Sequence, residues 1–148
     1  MKTVLLTWCT FSCALLSLRA DPAAEKAFVD KYKTAFEAKD TKTLESLLYT
    51  EGAHPMALDF YKQMMSEGAG SKISKIELVD LTPEDQTRAD EVMSGPDGSK
   101  TKLSLKPVKK LVIEIEQKSE SGGGTASNTT FVAENNGKLL IPVPAVVK

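Results

Sequence analysis

The sequence predicts an α+β domain, with N-terminal helices packed on an antiparallel sheet, and three observations carry that expectation. From Phe28 to Met64 the apolar residues recur at helical spacing. From Ile73 onward β-branched and aliphatic residues dominate, and Leu111, Ile113 and Ile115 alternate with Glu114 and Glu116. Near the end, Asn136-Gly137 is the strongest short hairpin signal a sequence offers. Helices first and an antiparallel meander after is the α+β order.

The elements follow from the N-terminus. Met1–Ala20 reads as an export signal: Lys2 supplies the positive start, Val4 to Leu18 is uncharged and apolar, and Leu18-Arg19-Ala20 ends on a small residue. The apolar run is shorter than the ~20 residues of a spanning helix, and Thr7, Thr10, Ser12 and Ser17 dilute it. Neither Cys9 nor Cys13 follows a lipoprotein-like run. Residues 21–148 then form one domain, with secreted or periplasmic localisation expected and no membrane attachment after cleavage. Both cysteines and the single tryptophan, Trp8, lie in the leader, so the mature core must hold without disulfides.

Asp21-Pro22 reads as a cap and first helical residue, and Phe28, Tyr32, Ala35 and Phe36 form an apolar stripe to about Lys39. Asp40-Thr41 caps a short helix carrying Leu44, Leu47 and Leu48, which Gly52 closes. Pro55 opens a third helix with Ala57, Phe60, Tyr61 and Met64 as its stripe, ended by Gly68 and Gly70. Ile73–Leu81 reads as a strand, and Thr82-Pro83-Glu84-Asp85 starts a helix running to Val92-Met93. Gly95-Pro96-Asp97-Gly98 breaks the chain. Leu103 and Leu105 mark one half-buried strand, and Leu111 to Ile115 another. Ser119–Ser127, rich in Gly and Ser, is expected to be a flexible loop between strands. Thr129–Glu134 and Lys138–Val147 complete the meander, with Pro142 and Pro144 placing its end at a sheet edge.

Chemistry is less legible than fold. The chain holds 19 basic and 20 acidic residues, a balance that argues against a general nucleic-acid binder. His54 is the only histidine and is expected as a solvated loop residue before Pro55; no Cys lies near it, so no zinc site and no other metal is expected. No serine sits in G-x-S-x-G, and Gly122-Gly123-Gly124 lacks the lysine of a phosphate loop, so no cofactor and no catalytic residue are assigned. Asp80, Glu84, Asp85, Asp90 and Glu91 read as a solvated acidic face. Lys100, Lys102, Lys106, Lys109 and Lys110 form a basic cluster suited to protecting strand edges. Asn128-Thr129-Thr130 is a glycosylation triplet expected in a loop. Tyr32, Phe36, Phe60 and Tyr61 are the candidates for lining a ligand pocket, set against a simple core role for the same stripe.

FVDKYKTAFEAKD followed by TKTLESLL resembles the opening of the NTF2-like superfamily, and FVAENNGKLLIPVP resembles the closing hairpin of its small exported members. The resemblance implies a curved sheet wrapped around helices as a cone, of the NTF2-like or cystatin-like kind, with a pocket at its wide end. It implies a binding or interaction module for a small apolar ligand or a protein partner, and pairing into homodimers through the sheet. The superfamily also holds isomerases and dehydratases, which need a pocket carboxylate of raised pKa facing a donor such as Tyr32 or Tyr61; a structural domain with a filled interior is the third alternative. Thr82–Pro107 departs from the family pattern, as does the lack of a recognisable strand between the second and third helices.

Overall fold

The computed structural model describes residues 21–95, 97–119 and 122–147, so the leader Met1–Ala20 lies outside the described residues. Its elements run α1 (Pro22–Glu37), α2 (Thr41–Glu45), β1 (Leu48–Tyr49), α3 (Pro55–Ser66), β2 (Ile73–Asp80), α4 (Pro83–Asp90), β3 (Met93–Ser94), β4 (Lys100–Leu103), β5 (Pro107–Ser119), β6 (Gly122–Asn135), β7 (Lys138–Pro142) and β8 (Pro144–Val146). The fold is α+β, with helices packed on a mostly antiparallel five-stranded sheet of order β1-β7-β6-β5-β2 and a second, three-stranded sheet of order β3-β4-β8.

The caps expected for the early helices are made. The Asp21 carboxylate accepts from the Ala23 amide at 3.1 Å, and Asp40 accepts from the Thr43 amide at 3.0 Å. Each satisfies a helix-end donor that would otherwise lack a partner. α1 buries Phe28, Tyr32, Ala35 and Phe36, as its spacing predicts. These pack on Leu111, Ile113, Ile115, Val132 and Ile141 from the sheet. The register sets Leu111 opposite Leu78 and Ile113 opposite Ile76, so one face of β2 and β5 is continuously apolar.

Several expectations are corrected. α2 stops at Glu45, and Leu48 belongs to β1, which pairs in parallel with β7 through Leu48↔Ile141. A strand therefore does stand between the second and third helices; two residues give no alternation to read. α3 turns Met65 fully inward, with Ala57, Leu58 and Tyr61 half-buried beside it, while Phe60 projects outward. α4 ends at Asp90, because Met93 and Ser94 are drawn into pairing with Thr101 and Lys100. Residues 122–127 are strand, paired with β5 through Glu114↔Ser127, Ile115↔Ala126 and onward to Ser119↔Gly122. β5 supplies a complete ladder there, and backbone pairing overrides the weak strand propensity of Gly and Ser.

Asn136 and Gly137 both have positive φ, 52° and 75°, as a two-residue primed hairpin turn requires, and they join Asn135 to Lys138. The expected last strand is in fact two. Val143 separates β7 from β8, and the chain crosses there from the large sheet to the small one. Leu105 lies between β4 and β5 rather than on a strand. The Asn128 triplet sits within β6 rather than in a loop, with Asn128 opposite the buried Ile113.

The acidic and basic clusters are matched to each other. Lys102 pairs with Asp90 at 3.1 Å, Lys109 with Asp80 at 2.8 Å and Glu25 at 3.4 Å, and Lys110 with Asp85 at 2.7 Å. Asp85 is buried rather than solvated. It also accepts from the Thr82 amide at 2.9 Å while the Thr82 hydroxyl accepts from the Asp85 amide at 3.2 Å, a reciprocal capping box that starts α4. Thr82→Ala removes one half of the box and is expected to cost about 1 kcal/mol. Thermal unfolding followed by circular dichroism checks this, and an unchanged Tm would show that α4 does not depend on the cap.

Candidate functional site

A groove of about 430 Å³ opens between α3 and the small sheet. Met56, Ala57, Phe60 and Tyr61 of α3 form one wall; Met93 of β3 and Pro144 of β8 form the other. Its volume falls in the range of small-molecule sites. Phe60 is 61 % exposed, and Met56 and Met93 are exposed beside it. Large apolar side chains held out to solvent around a concavity are unusual on a folded surface, whereas scattered ones are not.

Local sequence explains how the walls are placed. Pro55 at the first helical position starts α3, and the Leu58, Tyr61 and Met65 face turns inward. That rotation leaves Met56 and Phe60 on the solvent side. On the other wall, Met93 pairs with Thr101, which pairs with Val146, so the three share one face of the small sheet.

One end of the groove is polar. His54, the residue before α3, is buried, with its side chain 11 % exposed, and so is not the solvated loop histidine expected. Its amide donates to the Pro144 carbonyl at 2.9 Å, fixing it to the small sheet. Its Nε2 lies 3.0 Å from Asp97 Oδ2 and 3.3 Å from Ser99 Oγ. The Ser99 hydroxyl donates to Asp97 Oδ1 at 2.6 Å, and the Ser99 amide donates to the same oxygen at 3.1 Å. These donors from Ser99, followed by the His54 ring, hold the Asp97 carboxyl down at about 2, so it is an anion. Since an ionised carboxylate only accepts, the His54 Nε2 carries the proton in that contact.

Ser, His and Asp thus meet, but not as a nucleophilic relay. Such a relay needs the serine on one imidazole nitrogen and the carboxylate on the other. Here both oxygens approach Nε2, and the serine proton is directed at Asp97. The cluster instead clasps the α3 wall to the loop after β3. That loop is built tightly: the Gly95 amide donates to the Ser99 carbonyl at 2.7 Å and the Gly98 amide to the Gly95 carbonyl at 3.0 Å. A Cβ on residue 95 would stand 2.7 Å from Asp97 Oδ1 and 2.9 Å from Ser99 Oγ, so the clasp requires glycine there.

The four sequence-derived pocket candidates divide. Phe60 and Tyr61 line the groove. Tyr32 and Phe36 lie in the core under the sheet, with ring centroids 6.0 Å apart and nearly parallel planes. Burial pushes the Tyr32 hydroxyl up to about 12, and burial raises Tyr61 as well. Met56, Met93, Asp97 and Ser99 were not found from the sequence. Only the Gly95–Gly98 turn signal hints at a structured loop, and nothing in a linear reading ties it to a histidine more than forty residues earlier.

Among the described residues no cluster of His, Cys, Asp or Glu is arranged to hold a metal ion, and no helix is long and apolar enough to cross a membrane. Compared with family models, curated proteins and solved structures, the chain matches none.

Proposed function

We propose that this chain is an exported, non-catalytic binding module of the NTF2-like kind, which takes a small apolar ligand into the groove between α3 and the small sheet. The observation that carries the reading is the concave apolar surface itself, with Phe60, Met56 and Met93 held out to solvent around it. Methionine adapts its shape to a guest, and an exposed phenylalanine gains most when a ligand covers it. Secretion or delivery to the periplasm rests on the leader Met1–Ala20.

The isomerase or dehydratase alternative is less well supported. General-base chemistry of that kind uses a carboxyl of raised pKa. The carboxylate held against His54 at the polar end of the groove, Asp97, is lowered instead. The interior between α1 and the sheet is filled by Phe36, Leu44, Leu111, Ile141 and Val143, so the reading places the guest in the groove and not in the core.

Titration with N-phenyl-1-naphthylamine, a neutral apolar dye whose fluorescence rises on leaving water, tests the proposal. The protein is expected to bind the dye saturably, and Phe60→Ala to weaken binding by roughly tenfold, the worth of much of a buried aromatic side chain. No saturable binding, or full affinity in Phe60→Ala, would remove the groove as a site.

A further inference from the structure

Resting on that reading, we infer that the groove selects a cationic amphiphile: an apolar chain or ring carrying a protonated amine, seated with its amine against Asp97. Three observations converge on that ligand class. The first is position. His54 and Gly95 both line the groove, and the Asp97 carboxylate lies against each of them, 3.0 Å from the His54 ring and so close to Gly95 that a Cβ there would collide with it. The charge therefore sits immediately behind the polar end of an otherwise apolar slot.

The second is unused capacity. An ionised carboxylate has about four acceptor sites. Three are taken, by the Ser99 amide, the Ser99 hydroxyl and the His54 ring. The Asp97 side chain is still 44 % exposed, which leaves it open to one further donor. An ammonium group supplies such a donor together with the opposite charge.

The third is the balance of charge. Among the described residues, the basic group within ion-pair distance of Asp97 is His54, which lies against the carboxylate through a single nitrogen. Lys100, the next cation along the chain, pairs across the small sheet with Ser94, and among the described residues no ion pair joins it to Asp97. The Asp97 carboxylate is thus the anion set against the polar end of the slot. A carboxylate or sulfate head would be repelled there, and a hydroxyl head would gain only a hydrogen bond. Phe60 and Tyr61 add aromatic rings, which attract a cation and leave an anion without benefit.

The test uses three molecules with one apolar chain and different heads: octylamine, octanol and octanoate, each displacing N-phenyl-1-naphthylamine at pH 8 and low salt. Octylamine is expected to bind at least about fivefold more tightly than octanol, with octanoate weakest, as one charge contact in a watery setting allows. In Asp97→Asn the order is expected to collapse. In the wild type, added salt is expected to narrow the gap between amine and alcohol, a readout that does not depend on how the variant folds. Equal displacement by the three compounds, an order that persists in Asp97→Asn, or a gap indifferent to salt would each overturn the inference. Failure of the dye to bind at all would instead sink the binding reading beneath it, so the two failures are distinguishable.

Discussion

Phe36→Ala is expected to cost about 3–5 kcal/mol of stability, whereas Phe60→Ala, the same chemical change, is expected to cost about 1 kcal/mol or less. Phe36 is 2 % exposed, lies over Tyr32, and its ring tip faces the turn at Gly68, where a Cβ would be 3.6 Å away. Its backbone carbonyl also accepts from the Gly70 amide at 2.7 Å, so the turn after α3 is tied down at the same place. Truncation removes the transfer energy of a buried ring and leaves a cavity that α1 and the five-stranded sheet cannot collapse into without breaking register. Phe60, by contrast, points outward at the groove lip and already meets water. Urea titrations read by circular dichroism give both values. Equal losses would mean that the core is not where α1 meets the sheet. A large loss in Phe60→Ala alone would turn the groove from a binding surface into part of the core.

Below pH 4 the protein is expected to lose stability steeply, and Asp85→Asn is expected to flatten that fall. The Asp85 carboxyl is lowered from the usual 3.8 to about 2, first by the Lys110 ammonium and then by the Thr82 amide and hydroxyl. Asp97 is lowered to about 2 by Ser99 and His54. In both cases the folded state holds its proton less tightly than the unfolded chain does. Between about pH 4 and pH 2 the unfolded state therefore binds more protons, and stability rises with pH in that window. The contribution is fully present above the unfolded value and is lost as pH falls through about 2. Asp85→Asn also breaks the capping box and leaves Lys110 without its carboxylate, so its Tm at pH 7 should lie below that of the wild type. Thermal melts between pH 2 and pH 7 check both features. An acid fall of equal steepness in the variant would show that Asp85 is not linked to folding.

How much of this could be read in advance depended on whether the signal was local. α1 was legible because Asp21-Pro22 makes its own cap and its stripe of Phe28, Tyr32, Ala35 and Phe36 has no competing face. The Asn136-Gly137 turn was legible because two consecutive positive φ angles suit those residues and few others. The α4 cap was legible for the same reason, although its carboxylate was expected in solvent. β1 was not legible: two residues carry no period, and they are strand only because β7 lies alongside them. Residues 122–127 misled because Gly and Ser prefer loops when nothing pairs with them, and the partner strand β5 decides otherwise.

The candidate site was the least visible part. A helix with apolar residues at positions 56, 57, 58, 60, 61, 64 and 65 offers two overlapping stripes, and periodicity alone does not say which one turns inward. Packing against the core selected Leu58, Tyr61 and Met65, and so left Met56 and Phe60 to form a groove with Met93.

The α+β order, the helix starts and the hairpin turn could be read from the linear chain, since each is set by residues within a few positions of one another. The second sheet, the rotation of α3, and the meeting of His54 with Asp97 and Ser99 arise only on folding. Those features depend on which distant segments share a ladder or a face, and in a linear chain that information exists only as the outcome of packing.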